Sequence, residues 1–431
     1  MGGKMMKKSS EWLVCLVFLI AAVPPLWAND IRAAENAALD RQASREEEIV
    51  SGINEGSKGT FTSTVKPGSI SDSVRATHLL GDANLWKSQE FSTALRGLDI
   101  GDVNGDGLNE TVMIDSHNVF IYQKKGDEFI LIQEIPGKRY ESYISVDVAD
   151  INRNGIKEII VSSYTGNVVD SFVLEFRNGR FETIAQDLRW FLRVIENSAG
   201  VPILLGQLRG VESPFKTPIH EIVWQDGEYR EGRKMRIPMG LSIYGLTLDK
   251  LAPGGEDMVI ALNDYDYLCV YEQTDKPLSQ VAALGGSEEF RWKSAEVFGG
   301  SQTFVSPIDQ TVYLQGEKMN ETKYINQRIL TRDANGNGKR EILLVRNNSA
   351  SGRLFQSVKL FTSAEICDLE WDGAGMVENW RTSKISGYVA DYQFKDIDGD
   401  GESEIVLALV LTGSWSVKDR SVIVAHKLNV R

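Results

Sequence analysis

Short runs of alternating apolar and polar residues, each bounded by Gly, Asn or Asp, follow one another from about residue 82 to the end of the chain. Alternation with a period of two predicts half-buried β-strands, and the Gly and Asx punctuation predicts tight turns between them. No stretch of this region sustains the 3.6-residue period of an amphipathic helix. The pattern therefore predicts an all-β fold.

One unit of strand, polar loop and strand recurs along the chain. Its clear copies are LDIGDVNGDGLNETVMI from Leu98, VDVADINRNGIKEIIVS from Val146, RILTRDANGNGKREILLV from Arg328 and YQFKDIDGDGESEIVLAL from Tyr392. The weaker copies are YGLTLDKLAPGGEDMVIAL from Tyr244, which keeps the frame but loses the polar residues of the loop, and WFLRVIENSAGVPILLGQ from Trp190, which keeps only the strands. Further strand-like runs follow most copies, and units of roughly 45 to 60 residues with four strands have the size of propeller blades. We therefore expect a β-propeller with six four-stranded blades.

Two segments leave the blade count between six and seven. The stretch GGSQTFVSPIDQTVYLQG is either an inserted hairpin or a degenerate seventh blade. The last copy is followed only by SVIVAHKLN, so it lacks one strand. LWKSQEF, before the first copy, resembles FRWKSAEVF, and we interpret both as outer strands. Trp86 to Phe91 are therefore expected to complete the last blade and close the ring, the alternative being a lead-in loop.

The loop of each clear copy carries side-chain oxygens at alternate positions. Counted from its first Asp, carboxylates or amides occupy positions 1, 3 and 5, Gly occupies position 6, and Glu occupies position 9. With the backbone carbonyl of position 7, such a set suits a hard cation that takes six to eight oxygens, and Ca²⁺ fits it. The predicted ligands are Asp102, Asn104, Asp106, Leu108 and Glu110; Asp150, Asn152, Asn154, Ile156 and Glu158; Asp333, Asn335, Asn337, Lys339 and Glu341; and Asp396, Asp398, Asp400, Glu402 and Glu404.

These loops have two alternative interpretations. An EF-hand needs a bidentate Glu at position 12 and flanking helices, but position 12 is Met113, Val161, Leu344 or Leu407 within a strand-forming run. An Asx-rich turn stabilised by its own backbone amides is the alternative that stays open. The loop at Asp396 contains four carboxylates at ligand positions and the loop at Asp102 three, against two each at Asp150 and Asp333. Calcium affinity is expected to follow that order.

The loops resemble those of FG-GAP/VCBS repeats, the family that includes the calcium-bearing blades of integrin α-subunit propellers. The region from about residue 85 resembles bacterial VCBS repeat-containing proteins. The resemblance implies a propeller whose loops bind Ca²⁺ between the first two strands of a blade, through the side chains given above. One departure is Glu at position 9 in all four loops, where Asp is common, which lengthens the reach to the metal.

The N-terminus has the features of a Sec-type secretory signal peptide. A Lys-rich start precedes an apolar stretch from Trp12, a Pro24-Pro25 break and the small residue Ala28 before Asn29. The alternative is an uncleaved membrane anchor, although the 17 apolar positions are at the short limit for a span. We expect a periplasmic or secreted protein without a stable membrane span after cleavage.

The predicted organisation is a signal peptide over residues 1–28, a short helical and flexible lead-in over 29–81, and the propeller over 82–431. The formal charge of −13 becomes −15 once the first 28 residues, with three Lys and one Glu, are set aside. Nucleic acid and anionic membranes are therefore poor partners. Cys269 and Cys367 are expected to be buried thiols, with a disulfide between them left open.

Two classes of function agree with this sequence. The first is an extracytoplasmic calcium-binding module that takes a protein or glycan, as in adhesion. The second is a propeller-based lyase or hydrolase acting on polysaccharide. The four histidines are scattered, and the best acid candidates, Asp264 and Asp266 in NDYDYLCVY, are more typical of a hairpin turn. We favour the binding module over the enzyme.

Overall fold

Strands form wherever the sequence alternates. The computed structural model describes residues 85–211, 213–252, 254–273, 290–305, 323–333, 338–349, 360–411 and 419–428. The predicted signal peptide and the whole of the predicted lead-in lie outside the described residues, so both stay predictions. Within the described ranges, no helix has the length and apolar character that a membrane crossing requires.

The chain enters on a short strand, β1 (Leu85–Lys87), and then forms antiparallel sheets in succession. Blade 1 consists of β2 (Gly97–Gly101), β3 (Glu110–Ile114), β4 (Asn118–Lys125) and β5 (Glu128–Pro136). Blade 2 consists of β6 (Glu141–Ala149), β7 (Glu158–Thr165), the short β8 (Val168–Val169) that pairs with β7, β9 (Ser171–Arg177) and β10 (Arg180–Leu188). Blade 3 consists of β11 (Trp190–Glu196), β12 (Pro202–Leu208), β13 (Ile219–Gln225) and β14 (Glu228–Lys234).

The second half of the chain repeats this arrangement. Blade 4 consists of β15 (Leu246–Asp249), β16 (Met258–Leu262), β17 (Tyr267–Tyr271) and β18 (Trp292–Val297), and a two-stranded sheet of β19 (Phe304–Val305) and β20 (Lys323–Tyr324) follows it. Blade 5 consists of β21 (Leu330–Arg332), β22 (Glu341–Ser349), β23 (Phe361–Trp371) and β24 (Met376–Arg381), with β25 (Ile385–Ser386) pairing to β23. Blade 6 consists of β26 (Tyr388–Lys395), β27 (Glu404–Leu411), β28 (Arg420–Lys427) and, as its outermost strand, β1.

The ring is a six-bladed β-propeller closed by the start of the described chain. Trp86 is the register partner of Ala425, and an isolated bridge joins Phe91 to Ser421 farther along the same edge. This confirms the expected closure. The weak copies form blades 3 and 4, and FRWKSAEVF provides the outer strand β18. Among the described residues, β19 and β20 form a separate two-stranded sheet and no seventh blade, and GGSQTFVSPIDQTVYLQG lies outside those residues from position 306 onward.

The hydrophobic core lies between neighbouring blades. Ile114 of blade 1 packs with Val146 of blade 2, and Leu343 of blade 5 packs with Val389 of blade 6. Strands that are covered on both faces, such as β27, are buried almost throughout, whereas the outer strands β5 and β14 alternate or are exposed. This explains why the second strand of each clear repeat is a continuous apolar run and the outer strands are not.

Polar side chains join the innermost strands around the propeller axis. Asp99, Asp147 and Asp391 each accept a hydrogen bond at 2.8–3.1 Å from a backbone N–H of the following blade. Each carboxylate is almost fully buried. Such bonds fix the blades against one another where packing alone would let them slide.

Buried cations balance these carboxylates. The Arg328 guanidinium contacts Asp391 at 2.6 and 2.7 Å and lies 3.4 Å from Asp147. Arg193 lies 3.4 Å from the same Asp147 oxygen. Lys395 contacts Asp99 at 2.5 Å, and with Arg328 it lowers the pKa of that carboxyl although burial alone would raise it. The axis is therefore a compensated network of charges, which sequence reasoning did not find.

Candidate metal loops and axial cavity

The four predicted metal loops join the innermost strand to the second strand of blades 1, 2, 5 and 6. Because these strands run the same way in every blade, the loops share one face of the propeller, here called the loop face. The glycine at position 6 has a φ of 86° at Gly107, 93° at Gly155, 83° at Gly338 and 89° at Gly401. This is the left-handed region that strains other residues, so the bend requires glycine at that position.

The loop at Asp396 brings its carboxylates together. Asp396 accepts backbone hydrogen bonds from Gly399 at 2.6 Å and Gly401 at 2.8 Å, which folds the loop around its first side chain. Asp396, Asp398 and Glu404 each offer one oxygen, and the three oxygens lie within 4.8 Å of one another. Among the described residues, no other three His, Cys, Asp or Glu side chains converge in this way.

Two of these oxygens are buried without a hydrogen-bond donor from the described residues: Oδ1 of Asp398 and Oε1 of Glu404. Glu404 is 3% exposed, and burial raises its pKa to about 7. A buried carboxylate oxygen without a donor is costly unless a cation or a proton meets it. The Lys124 ammonium of blade 1 binds the other Asp398 oxygen, Oδ2, at 3.0 Å, and the Lys427 ammonium contacts Asp400 and lies 3.6 Å from Glu404 Oε1. The donor set therefore fits a hard cation.

The loop at Asp102 satisfies its oxygens internally. Glu110 is fully buried and accepts from the Val103 amide at 3.0 Å and from the side-chain amides of Asn104 at 2.9 Å and Gln123 at 2.8 Å. Burial raises its pKa to about 7. Asp102 accepts from two backbone amides of the loop. As described, this loop has the geometry of a hydrogen-bonded Asx turn, although its oxygens come from the residue types that a cation uses.

The loop at Asp150 recruits a carboxylate from outside itself. The side-chain amides of Asn152 and Asn154 both donate to Glu175, at 2.6 and 2.8 Å. Glu158 accepts from the backbone amides of Ile151 and Asn152 and is buried, and burial raises its pKa.

The loop at Asp333 is described only in part. Asn335 and Asn337 lie outside the described residues. Asp333 accepts from the Gly338 amide at 2.9 Å, as its counterparts do in the other loops. Glu341 is buried, and the Lys339 ammonium contacts Glu370 at 2.5 Å.

A residue on the third strand faces the position-9 glutamate of every loop. Strand register places Gln123, Glu175, Glu370 and Lys427 opposite Glu110, Glu158, Glu341 and Glu404 respectively. Counting this residue with the carboxylates at positions 1, 3, 5 and 9 gives a formal charge of −3 in all four cases. The order of calcium affinity predicted from the loop residues alone therefore leaves out the charge of one side chain at each site. The sequence did not reveal this third-strand residue, because the hairpins between the second and third strands differ in length and no fixed spacing from the loop identifies it.

A cavity of about 470 Å³ opens on the loop face at the propeller axis. The innermost strands enclose it, and their charged residues, including Asp99, Lys395 and Arg332, line its wall. Arg193 and Arg328 also line a second cavity, of about 20 Å³.

The acid candidates of the sequence lie in a turn. Asp264 and Asp266 belong to the connection from β16 to β17, where Asp266 donates its amide to Asn263 and has a φ of 63°. Lys323 binds Asp264 at 2.8 Å. This agrees with the hairpin interpretation.

The cysteines and histidines lie apart from one another. Cys269 lies on β17 and Cys367 on β23, and both are buried and free, so the interpretation as thiols is confirmed. Burial raises the pKa of Cys367 to about 12. His117, His220 and His426 lie in blades 1, 3 and 6, and His78 lies outside the described residues.

Comparison with known protein families identifies residues 102–161 as an FG-GAP-like repeat. The matched segment begins at the first residue of the first loop and includes the second loop with the strands around it. No curated protein matches the chain.

Proposed function

We propose that this propeller, which contains an FG-GAP-like repeat, is a calcium-stabilised binding module that works outside the cytoplasm and takes a protein or glycan partner. A propeller of FG-GAP repeats is a general type of protein-binding module. The convergence of Asp396, Asp398 and Glu404, with two buried oxygens that lack hydrogen-bond donors, is the observation that carries the calcium proposal.

Bound calcium would supply positive charge between carboxylates that otherwise repel one another. In blade 6, Asp396, Asp398 and Glu404 would hold it. Asp396 directly follows the innermost strand and Glu404 begins the second, so the ion would join the two strands across their loop. The equivalent side chains in the loops at Asp102, Asp150 and Asp333 are the further candidates.

Two observations support the proposed location outside the cytoplasm: the N-terminus resembles a signal peptide, and the loops have the residues of a calcium site. Oxygen-rich sites of this kind have dissociation constants of roughly 0.1 to 1 mM in extracellular modules, and these match calcium concentrations outside the cell better than those within it.

Direct calcium binding tests this proposal. Isothermal titration of the chelated chain should show saturable binding, weakened strongly by Asp398→Asn with Asp400→Asn. The matched pair Asn152→Ala with Asn154→Ala, which removes neutral oxygens from another loop, should have the smaller effect. A titration that gives no heat of binding and no competition with a calcium indicator would contradict the metal site.

The partner can be sought by glycan array and pull-down, each in calcium and in EDTA. The enzyme alternative has its own signature. Reproducible turnover of a polysaccharide that disappears with Asp264→Asn or Asp266→Asn would replace the binding module by a catalyst.

A further inference from the structure

We propose that the axial cavity of the loop face binds the carboxylate of an acidic side chain from a protein partner. This inference rests on the proposed function, because it names the chemistry of the partner that the binding module takes. Three properties of the cavity carry it: its local charge, the pairing of its cations and the composition of its walls.

The cavity concentrates positive charge in a protein whose net charge is −13. The charged residues that line it are Lys157, Arg193, Arg328, Arg332 and Lys395 against Asp99, Asp150, Glu196 and Asp396. Asp150 and Asp396 direct their oxygens to backbone amides of their own loops. The lining therefore carries five cations against four carboxylates, a formal charge of +1, and a concave site focuses such a field on an incoming anion.

Three of the five cations are already occupied. Lys395 binds Asp99 at 2.5 Å, and the guanidinium groups of Arg193 and Arg328 belong to the axial network with Asp147 and Asp391. These contacts hold the floor of the cavity rigidly and leave its charges compensated.

Lys157 and Arg332 differ from those three. Neither forms an ion pair with any of the described residues, and both are half-buried. The Lys157 side chain packs against Gly101 of the neighbouring blade. A β-carbon added at Gly101 would lie only 3.1 Å from the Lys157 Nζ. The Arg332 guanidinium lies 5.4 Å from the centre of the Phe394 ring, which orients it without neutralising it. Two positioned cations that form no ion pair with a described residue favour a carboxylate ligand at this cavity.

The walls favour a peptide over a sugar. The apolar side chains of the lining are aliphatic, among them Val194, Ile195, Leu246, Ile329 and Leu330, and no aromatic side chain is present among the described residues that line it. Aromatic faces are the usual platform for a sugar ring, whereas aliphatic walls accept the methylenes of a side chain. About 470 Å³ is within the size range of small-ligand sites, which is enough for one acidic side chain and its backbone.

Titration of the full chain in calcium with N-acetyl-glutamate N-methylamide tests this inference. The probe should bind, and its neutral glutamine analogue should bind at least about tenfold more weakly, as should the acidic probe to Lys157→Met or Arg332→Met. Lys138→Met removes an exposed cation from the connection between β5 and β6 and should leave the affinity unchanged. Lys157→Arg, which keeps the charge, should retain most of the binding, and melting by circular dichroism shows whether each variant is folded.

Equal affinities of both methionine variants and the original chain, no binding to a folded chain, or tighter binding of galacturonate than of the glutamate probe would each overturn the inference. The two proposals fail separately. If the probe binds as predicted but calcium has no effect on melting, the metal site is wrong and the cavity stands. If calcium stabilises the chain and the probe does not bind, only the cavity is wrong.

Discussion

At the scale of single residues, the protein contains a buried carboxyl that forms no ion pair with any of the described residues. Asp368 on β23 is 1% exposed, and burial, together with the nearby Glu341 and Glu370, raises its pKa to about 8. Asn379 donates to it at 2.9 Å. The unfolded chain should lose this proton near pH 4 and the folded chain near pH 8, so this group destabilises the fold progressively as the pH rises through that window.

Asp368→Asn should remove that dependence. The amide keeps an oxygen to accept from Asn379 and carries no charge, so the Tm of the variant should exceed that of the original chain by several degrees at pH 8. Near pH 4 the two should melt together. Thermal melts across pH 4 to 9 measure this, and a variant that is less stable than the original at pH 8 would show that the carboxyl is ionised and satisfied in the fold.

Lys427 gives a second prediction at this scale. Its ammonium contacts Asp400 and Glu402 and lies near Glu404, so it offsets part of the charge that calcium would meet. Lys427→Gln should tighten calcium binding to this loop by about fivefold or more, because one opposing charge is lost. Isothermal titration measures the change, with Lys87→Gln, at an exposed position of β1, as the control. Weaker binding after Lys427→Gln would mean that the lysine supports the site.

At the scale of the strands, β1 holds blade 6 to blade 1. Trp86 pairs with β28 and also packs its ring 5.3 Å from Phe129 and donates its indole N–H to the Asp127 carbonyl at 3.2 Å. Deleting residues 29–80 should leave the propeller intact. Deleting 29–92 should expose the edge of β28, lower the Tm by about 10 °C and cause aggregation. Equal melting temperatures of the two proteins would show that β1 does not stabilise the ring.

The sequence predicts the strands better than it predicts the side-chain contacts between strands. The loops and the buried second strands follow from Asx/Gly spacing and β-branched runs, which act locally. The closure of the ring by β1 could also be predicted, because LWKSQEF resembles an outer strand. The positions of Gln123 and Lys427 could not be predicted, since these side chains reach a loop only through strand pairing. The ion pair of Arg328 with Asp391 at the propeller axis could not be predicted either. The two residues belong to different blades, and no periodic pattern in the sequence connects them.

At the scale of the whole molecule, six blades bury their apolar faces against one another and present four acidic loops on one face. Calcium that binds the folded loops and not the unfolded chain would stabilise the entire ring, and each site held at 100 times its Kd would add about 2.7 kcal/mol. Magnesium should do less, because long, flexible oxygen ligands suit the larger ion.

The melting temperature of the chain in EDTA, in millimolar calcium and in millimolar magnesium tests this account most directly. We expect calcium to raise the Tm by at least about 5 °C over EDTA and magnesium to raise it by clearly less. Coinciding melts in EDTA and calcium would contradict the account, and the four loops would then be Asx turns held by their own backbone amides.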